Sequence, residues 1–112
     1  MILQDKVLEG FDKYYHPEVI IQEDEAAPVI GKAANRNRKE VFLSSIIEFR
    51  SVRPLKVAIG EGTTMVQWYY DYTHKELGNK KYTLVAVQQW RDGKIVKEQC
   101  FYSSEPPPSS RL

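Results

Sequence analysis

The sequence has a single cysteine, no long apolar run and almost no net charge, and each shortage excludes a class of protein. Cys100 is the only cysteine among 112 residues, so no disulfide forms within the chain and the fold needs no oxidising compartment. No segment approaches the roughly 18 apolar residues of a membrane-spanning helix. The formal net charge of +1 provides no field that would attract nucleic acid or an acidic membrane.

Signals for targeting and for metal binding are also missing. The opening residues "MILQDKVLEG" carry charge early and lead into neither a long apolar run nor a small-residue cleavage site, so we expect a cytoplasmic protein. Two histidines and one cysteine form no cluster with metal-ligand spacing, and we expect neither a metal nor another cofactor. What remains fits one soluble globular domain, because 42% of the residues are hydrophobic and 28% are charged.

The first part of the chain predicts a helix followed by a short strand. The helix is expected to end near Tyr15, because a residue before proline, here His16, is disfavoured in helical geometry. The run "VIIQEDE" (19–25) predicts strand one, and "AAPVIG" predicts a loop. The buried stripe of the helix repeats at three-to-four spacing and consists of Leu3, Val7, Leu8, Phe11, Tyr14 and Tyr15.

A second helix is predicted over residues 32–51. Asn37 with Glu40 three positions later is typical of a capping box, which leaves two possible starts, Lys32 and Asn37. Arg53-Pro54 is expected to end the helix. Its predicted inner stripe consists of Val41, Phe42, Ser45, Ile46 and Phe49.

Four strand candidates follow in a row, and two of them are about twice the usual length of five or six residues. Strands this long must twist and bend, which allows a sheet to curl around a helix. The turn Asp92-Gly93 between two strand-like runs strongly indicates a hairpin. We predict one domain over 1–104 and a disordered Pro/Ser-rich tail over 105–112. The strand candidates are "LKVAIGE" (55–61), 63–74, 80–91 and "KIVKEQCFY" (94–102).

Both faces of the predicted sheet carry apolar residues. One face of 63–74 presents Val66, Trp68, Tyr70 and Tyr72. With a two-residue turn at Asp92-Gly93, one face of the hairpin pairs Trp90 with Ile95, Gln88 with Lys97 and Ala86 with Gln99, and the other carries Val85, Val87, Val96, Glu98, Cys100 and Tyr102. One sheet face must pack on the helices, and we expect a homodimer to cover the outer face. Inward polar groups such as Gln88 and Lys97, or Glu98 on the alternative face, favour a cavity between helix and sheet over a sealed core.

The order of these elements resembles a known superfamily. "VIIQED", "EAAPVIG", a long helix and long strands closed by "WRDGKIVKEQCFY" are similar to the SnoaL-like group of the nuclear-transport-factor-2-like superfamily, which includes polyketide cyclases and ketosteroid isomerases. The resemblance covers roughly residues 7–102. It implies an α+β fold, a cone-shaped roll of cystatin-like architecture in which a curved, mostly antiparallel sheet wraps around the helices. It also implies a dimer whose open end holds a small apolar molecule.

The resemblance implies candidate catalytic residues. Asp24 best matches the general base that steroid isomerases place at the end of strand one, and Gln88 stands where they have a second acid. Their donor tyrosine has no counterpart here, because Tyr14 precedes Asp24 by too few residues. Glu98 is a third candidate, as a buried acid, with a surface ion pair to Lys94 or Lys97 as the alternative.

Two hypotheses for the function follow. In the first, the chain is a proton-transfer enzyme of the cyclase or isomerase type acting on a small hydrophobic carbonyl compound, with Asp24 as base. In the second, it is a non-catalytic module that binds a hydrophobic ligand or serves as a dimeric scaffold, and the acids at 23–25 are a solvated strand end. A cavity holding a buried, unpaired carboxylate would favour the first. The aromatic candidates for the pocket, which the second hypothesis also allows to be ordinary core, are Tyr14, Phe42, Trp68, Tyr70, Tyr72, Trp90 and Tyr102.

Overall fold

The computed structural model describes residues 2–103, so the predicted tail at 105–112 lies outside the described residues. Neither helix in this range is long and apolar enough to cross a membrane. Two helices and six strands follow one another: α1 (Ile2–Tyr14), β1 (Tyr15–Glu23), β2 (Val29–Ile30), α2 (Lys32–Ser44), β3 (Ile46–Gly60), β4 (Thr63–His74), β5 (Gly78–Arg91) and β6 (Lys94–Tyr102).

All six strands form one curved sheet in the order β2-β1-β6-β5-β4-β3. The β1–β6 pair is parallel and the other four pairs are antiparallel. Strands β3 to β5 are 12 to 15 residues long, and β3 changes register with β4 at several places. Such irregularities bend a strand and increase its twist, so the sheet curves. The α+β roll with a mostly antiparallel sheet, expected from the sequence, is confirmed.

The second helix is shorter than predicted. α2 begins at Lys32, one of the two expected starts, but it ends at Ser44 instead of continuing to residue 51. Ile46 and Phe49 lie on β3, where they are still buried. Apolar residues spaced three apart fit one face of a helix, and the β-branched residues that follow Ser45 favour a strand. Pro54 does not end a helix; it lies within β3, an edge strand that tolerates a missing backbone donor.

Strand one begins and ends earlier than predicted. β1 covers 15–23 and includes Pro17, in a stretch where its pairing with β6 is irregular. Asp24 lies in the following turn with a φ of 48°, a conformation outside the strand region. The predicted loop contains β2, whose two residues pair with Ile20 and Ile21.

The β5–β6 hairpin forms at the predicted turn but in a different register. Trp90 pairs with Ile95 as expected, whereas Gln88 pairs with Glu98 and not with Lys97. Ala86 likewise pairs with Cys100, because the register shifts by one residue next to Trp90. Residues that were assigned to opposite faces therefore meet on the inner face, among them Ala86, Gln88, Glu98, Cys100 and Tyr102, each buried or half-buried.

Two clusters of buried side chains hold the helices on the inner face. The larger cluster joins Leu43 of α2 to Phe49, Tyr72 and Leu84 of the sheet. The smaller one places Phe11 of α1 against residues of β1 and β6.

Candidate functional site

A cavity of about 540 Å³ lies between the two helices and the inner face of the sheet. This volume falls within the range typical of small-molecule sites. Both tryptophans of the chain, Trp68 and Trp90, line it. The other aromatic residues of the lining come from α1, α2 and the sheet: Phe11, Tyr14, Tyr15, Phe42, Tyr70, Tyr82 and Tyr102.

Aromatic contacts build the wall of the cavity. The rings of Tyr70 and Tyr82 stack with centroids 5.7 Å apart, and Tyr82 meets Tyr102 edge-on at 5.6 Å. Tyr72 lies beneath this wall, is completely buried and bonds through its hydroxyl to that of Tyr82 at 2.8 Å. Offset and edge-on ring pairs fix ring orientation, so the wall is largely pre-formed.

Glu98 is the centre of a hydrogen-bonded cluster inside the cavity. Its Oε2 accepts a hydrogen bond from Tyr15 Oη at 2.5 Å and another from Gln88 Nε2 at 2.6 Å. Burial, and next the charge of Glu98, raise the pKa of Tyr15 well above its ordinary value, so the phenol stays protonated and donates. The carboxyl of Glu98 is only 5% exposed, and these two donors fix its position.

Gln88 is itself held by a chain of donors. Thr64 Oγ1 donates to Gln88 Oε1 at 2.8 Å, and Trp90 Nε1 donates to Thr64 Oγ1 at 2.9 Å. The indole donor therefore fixes which way the threonine hydroxyl points, and the hydroxyl fixes the amide. The amide must then present its nitrogen to Glu98.

Glu23 supplies a second carboxyl to the cavity. It receives a hydrogen bond from Tyr102 Oη on Oε2 at 2.6 Å. Burial raises the pKa of Glu23 above its ordinary value of 4.5, and this outweighs the opposing effects of the Tyr102 hydrogen bond and of Lys39. Ile21 pairs with Glu98 and Glu23 pairs with Cys100, so the two acids are diagonal neighbours on one face, with Cα atoms roughly 7–8 Å apart.

Asp24, the predicted base, does not line the cavity. Its backbone N–H bonds to the carbonyl of Cys100 at 2.7 Å, and its Oδ1 accepts the backbone N–H of Tyr102 at 3.2 Å. These bonds tie the turn after β1 to β6. Along β1 the inward positions are Val19, Ile21 and Glu23. The strand alternation therefore directs Glu23, and not Asp24, into the cavity.

Of the remaining predicted site residues, only Tyr72 is outside the cavity lining. The other eight line the cavity together: Gln88, Glu98, Tyr14, Phe42, Trp68, Tyr70, Trp90 and Tyr102. The sequence offered Glu23, Asp24 and Glu25 together as possible bases and Asp24 was preferred; Tyr15 was not predicted as a site residue. The alternation of Val19, Ile21 and Glu23 was the available signal that Glu23 faces the cavity. No local pattern identified Tyr15.

Cys100 also lines the cavity, but its thiol is not set up as a nucleophile. Burial, and next the charges of Glu98 and Glu23, raise the pKa of this thiol well above its ordinary value. Within residues 2–103, no group of three or more His, Cys, Asp or Glu side chains is placed to hold a metal ion.

Comparison with solved structures shows the same fold in several proteins. A candidate SnoaL-like polyketide cyclase from Mesorhizobium loti superposes with a TM-score of 0.78 at 19% identity, covering 90% of each chain. A cystatin-like protein from Xanthomonas campestris gives 0.77 at 15% identity, over 90% of this chain and 81% of that one. An epoxide hydrolase from M. tuberculosis gives 0.73 at 11% identity, over 90% and 74%. At these identities the likeness shows the fold alone.

Comparison by sequence identifies the family. No curated protein matches the chain. The family model of the SnoaL-like domain, however, matches residues 1–102, which is nearly the whole chain. This protein therefore belongs to the SnoaL-like domain family.

Proposed function

We propose that this chain binds a small hydrophobic carbonyl compound in its cavity and catalyses proton transfer at the carbon next to the carbonyl. The observation that supports this proposal best is the presence of two carboxyl groups, Glu23 and Glu98, in one cavity rich in aromatic residues. Isomerisation and aldol-type cyclisation both need a base for a carbon acid and a donor for the enolate oxygen. A pair of acids in different environments can supply both.

Glu98 is the proposed base. Tyr15 and Gln88 hold its carboxyl from one side, which orients it without consuming its capacity to accept a proton. In the proposed step Glu98 takes a proton from the substrate carbon, and the electron pair of that C–H bond moves into the enolate. The same carboxyl then returns the proton to the original carbon or to a different one.

Glu23 is the proposed donor to the enolate oxygen. Because burial raises its pKa, Glu23 keeps a proton to a higher pH than an exposed carboxyl and can donate a hydrogen bond. Gln88, which the resemblance placed in this role, already donates to Glu98 and is better described as a positioning residue. Asp24 contacts the β6 backbone and has no part in the proposed step.

Hydrogen–deuterium exchange tests the proposed step without knowledge of the natural substrate. The α-protons of 2-tetralone are followed by NMR in D₂O, with the buffer rate subtracted. We expect the protein to accelerate exchange and Glu98→Gln to lose roughly a hundredfold or more of that acceleration, as for removal of a general base. Glu48→Gln is the matched control, because Glu48 is an exposed partner of Arg50 outside the cavity. Full exchange activity in folded Glu98→Gln would refute the assignment.

The non-catalytic alternative also has support. Each cavity carboxyl is already bonded to a tyrosine hydroxyl, so the condition of an unpaired carboxylate, set out from the sequence, is not met. A carrier would use these groups only to bind a polar end of its ligand. Ligand binding combined with no exchange above background on 2-tetralone and related ketones would favour the carrier.

We also propose that a second copy of the chain covers the outer face of the sheet. Met65 and Phe101 are 48% and 43% exposed there, and register places Val85 and Val87 between them. A net charge of +1 leaves little repulsion between copies. Sedimentation equilibrium should show dimers for the native chain and monomers for Met65→Glu. Ile59→Glu, on the inner face, is the control and should remain dimeric; a native chain that stays monomeric would refute this proposal.

A further inference from the structure

Three cations line the cavity from the helix side. Lys6 comes from α1, and Arg38 and Lys39 come from α2. Opposite them the sheet contributes the two carboxyls, Glu23 and Glu98. The lining therefore has formally one more positive than negative charge even when both acids are ionised, and the cations are all on one side.

Lys39 is half-buried, and its ammonium group lies against an aromatic ring. Its Nζ lies 5.8 Å from the centroid of the Phe11 ring, over an aromatic surface that lines the cavity. A cation above an aromatic ring is attracted to it, but a ring does not neutralise the charge. Within the part of the chain that the structure describes, neither Lys39 nor Lys6 forms an ion pair with a carboxylate.

Two acids of the helices, Asp12 and Glu40, already have a cation partner. Arg36, which does not line the cavity, binds Asp12 at 2.7 Å and also pairs with Glu40. Lys32, the other cation beside Asp12, bonds to its backbone carbonyl at 2.7 Å.

Balancing the negative charge of Glu23 does not fully explain why cations line the cavity. Lys39 and Arg38 do favour the ionised form of Glu23, but burial outweighs them and its pKa stays raised. As Glu23 takes up a proton, Lys39 keeps its charge and has no carboxylate partner among the described residues. A bound anion would supply that charge in a site screened from water by aromatic walls.

We infer that the cavity selects apolar ligands that carry an anionic group, such as a carboxylate, a sulfonate or an ionised phenol. The anionic end lies at Lys6, Arg38 and Lys39, and the apolar body lies against Trp68 and Trp90. The ligand then enters in one orientation, with its far end towards Glu98. This inference rests on the proposed function, since it assumes that the cavity binds a ligand.

A pair of fluorescent probes isolates the charge. 1-Anilinonaphthalene-8-sulfonate and N-phenyl-1-naphthylamine share the same apolar body, and only the first has a sulfonate. Excitation of tryptophan followed by energy transfer to the probe reports binding near the cavity, because both tryptophans line it. We expect the sulfonate to bind roughly fivefold to tenfold more tightly at low salt, as one or two partly exposed ion pairs would give, and this advantage to shrink as salt is added.

Charge-removing variants identify the cations involved. Lys39→Met should weaken sulfonate binding roughly fivefold and leave the neutral probe unchanged, because methionine keeps the apolar stem. Glu23→Gln should strengthen sulfonate binding and leave the neutral probe unchanged. Lys56→Met is the matched control, since Lys56 is exposed on β3 outside the lining and should change neither probe.

Three outcomes would overturn the inference. They are equal binding of the two probes by the native chain, an equal loss of both probes in Lys39→Met, and no binding of either probe. The exchange assay on 2-tetralone separates these results from the proposed function. If exchange still depends on Glu98 but the two probes bind equally, the inference of an anionic ligand is wrong and the catalytic proposal stands.

Discussion

Tyr72 and Tyr82 form a buried hydrogen-bonded pair, and we predict that removing the two hydroxyls one at a time has unequal effects on stability. Their phenolic oxygens are 2.8 Å apart. Tyr72 is completely buried beneath the cavity wall, whereas Tyr82 is 9% exposed and lines the cavity. Because Tyr82 lines the cavity, we expect water to reach its remaining hydroxyl after Tyr72→Phe. Tyr72 does not line the cavity, so we expect its hydroxyl to lack a water partner after Tyr82→Phe.

The magnitudes follow from the two situations. A hydrogen bond contributes about 1 kcal/mol net, so Tyr72→Phe should lower the free energy of unfolding by about that amount. A sealed, unsatisfied hydroxyl costs up to about 3 kcal/mol, so Tyr82→Phe should be the more destabilising by about 1 kcal/mol. The double variant should be less destabilised than the sum, by about 2 kcal/mol, because the shared hydrogen bond is lost only once and no hydroxyl is orphaned.

Urea unfolding at 25 °C, followed by tryptophan fluorescence, measures these differences as long as the four proteins share one m-value. Tyr69→Phe is the matched control. Tyr69 lies on the outer face, with the guanidinium of Arg53 5.1 Å from its ring centroid, and the change should stay within about 0.5 kcal/mol. A loss for Tyr72→Phe equal to or larger than that for Tyr82→Phe would show that cavity water does not reach Tyr82, and would refute the reasoning.

Three further predictions concern the cavity and its frame. Because burial raises the pKa of Glu23, the folded chain holds this proton above pH 4.5 while the unfolded chain releases it; stability should therefore fall as pH rises from there, and Glu23→Gln should flatten that fall in a pH series of urea unfolding. The buried, high-pKa thiol of Cys100 should react with dithiobisnitrobenzoate at pH 8 many-fold more slowly in the native chain than in 6 M guanidinium, and equal rates would contradict its placement. Gly31 caps α2 with a φ of 97°, so Gly31→Ala should lower the free energy of unfolding by about 1–3 kcal/mol, whereas Gly10→Ala, within α1 and with open space around its Cβ position, should not destabilise the chain.

Sequence patterns predicted the elements whose signals are local. The bounds of β4 and β6 match the predicted strands, because the turn residues that flank these strands and the alternation within them need no distant partner. The end of α2 was not predictable in this way. Ile46 and Phe49 have the spacing of a helical stripe, and only their pairing with β4 assigns them to a strand.

Most residues of the candidate site could be predicted from the sequence, but their positions relative to one another could not. Aromatic residues on alternate positions of long strands indicated the wall, because strand alternation is fixed by the backbone. The choice between Glu23 and Asp24 depended on where β1 ends, and strand ends are the least certain feature of a sequence pattern. Tyr15 reaches Glu98 from 83 positions away, a contact that no local pattern contains.

The register of a single hairpin determines the chemistry of the cavity. Gln89 pairs with Lys97 and Trp90 pairs with Ile95, so Val96 is the extra residue of a bulge. In an unbroken ladder, Lys97 would oppose Gln88 on the inner face, and Glu98 would point outward. Because of the extra residue, Lys97 is exposed and Glu98 is buried beside Tyr15 and Gln88. The acid in the site therefore depends on one residue that carries no functional group, and a search restricted to charged residues would not find its cause.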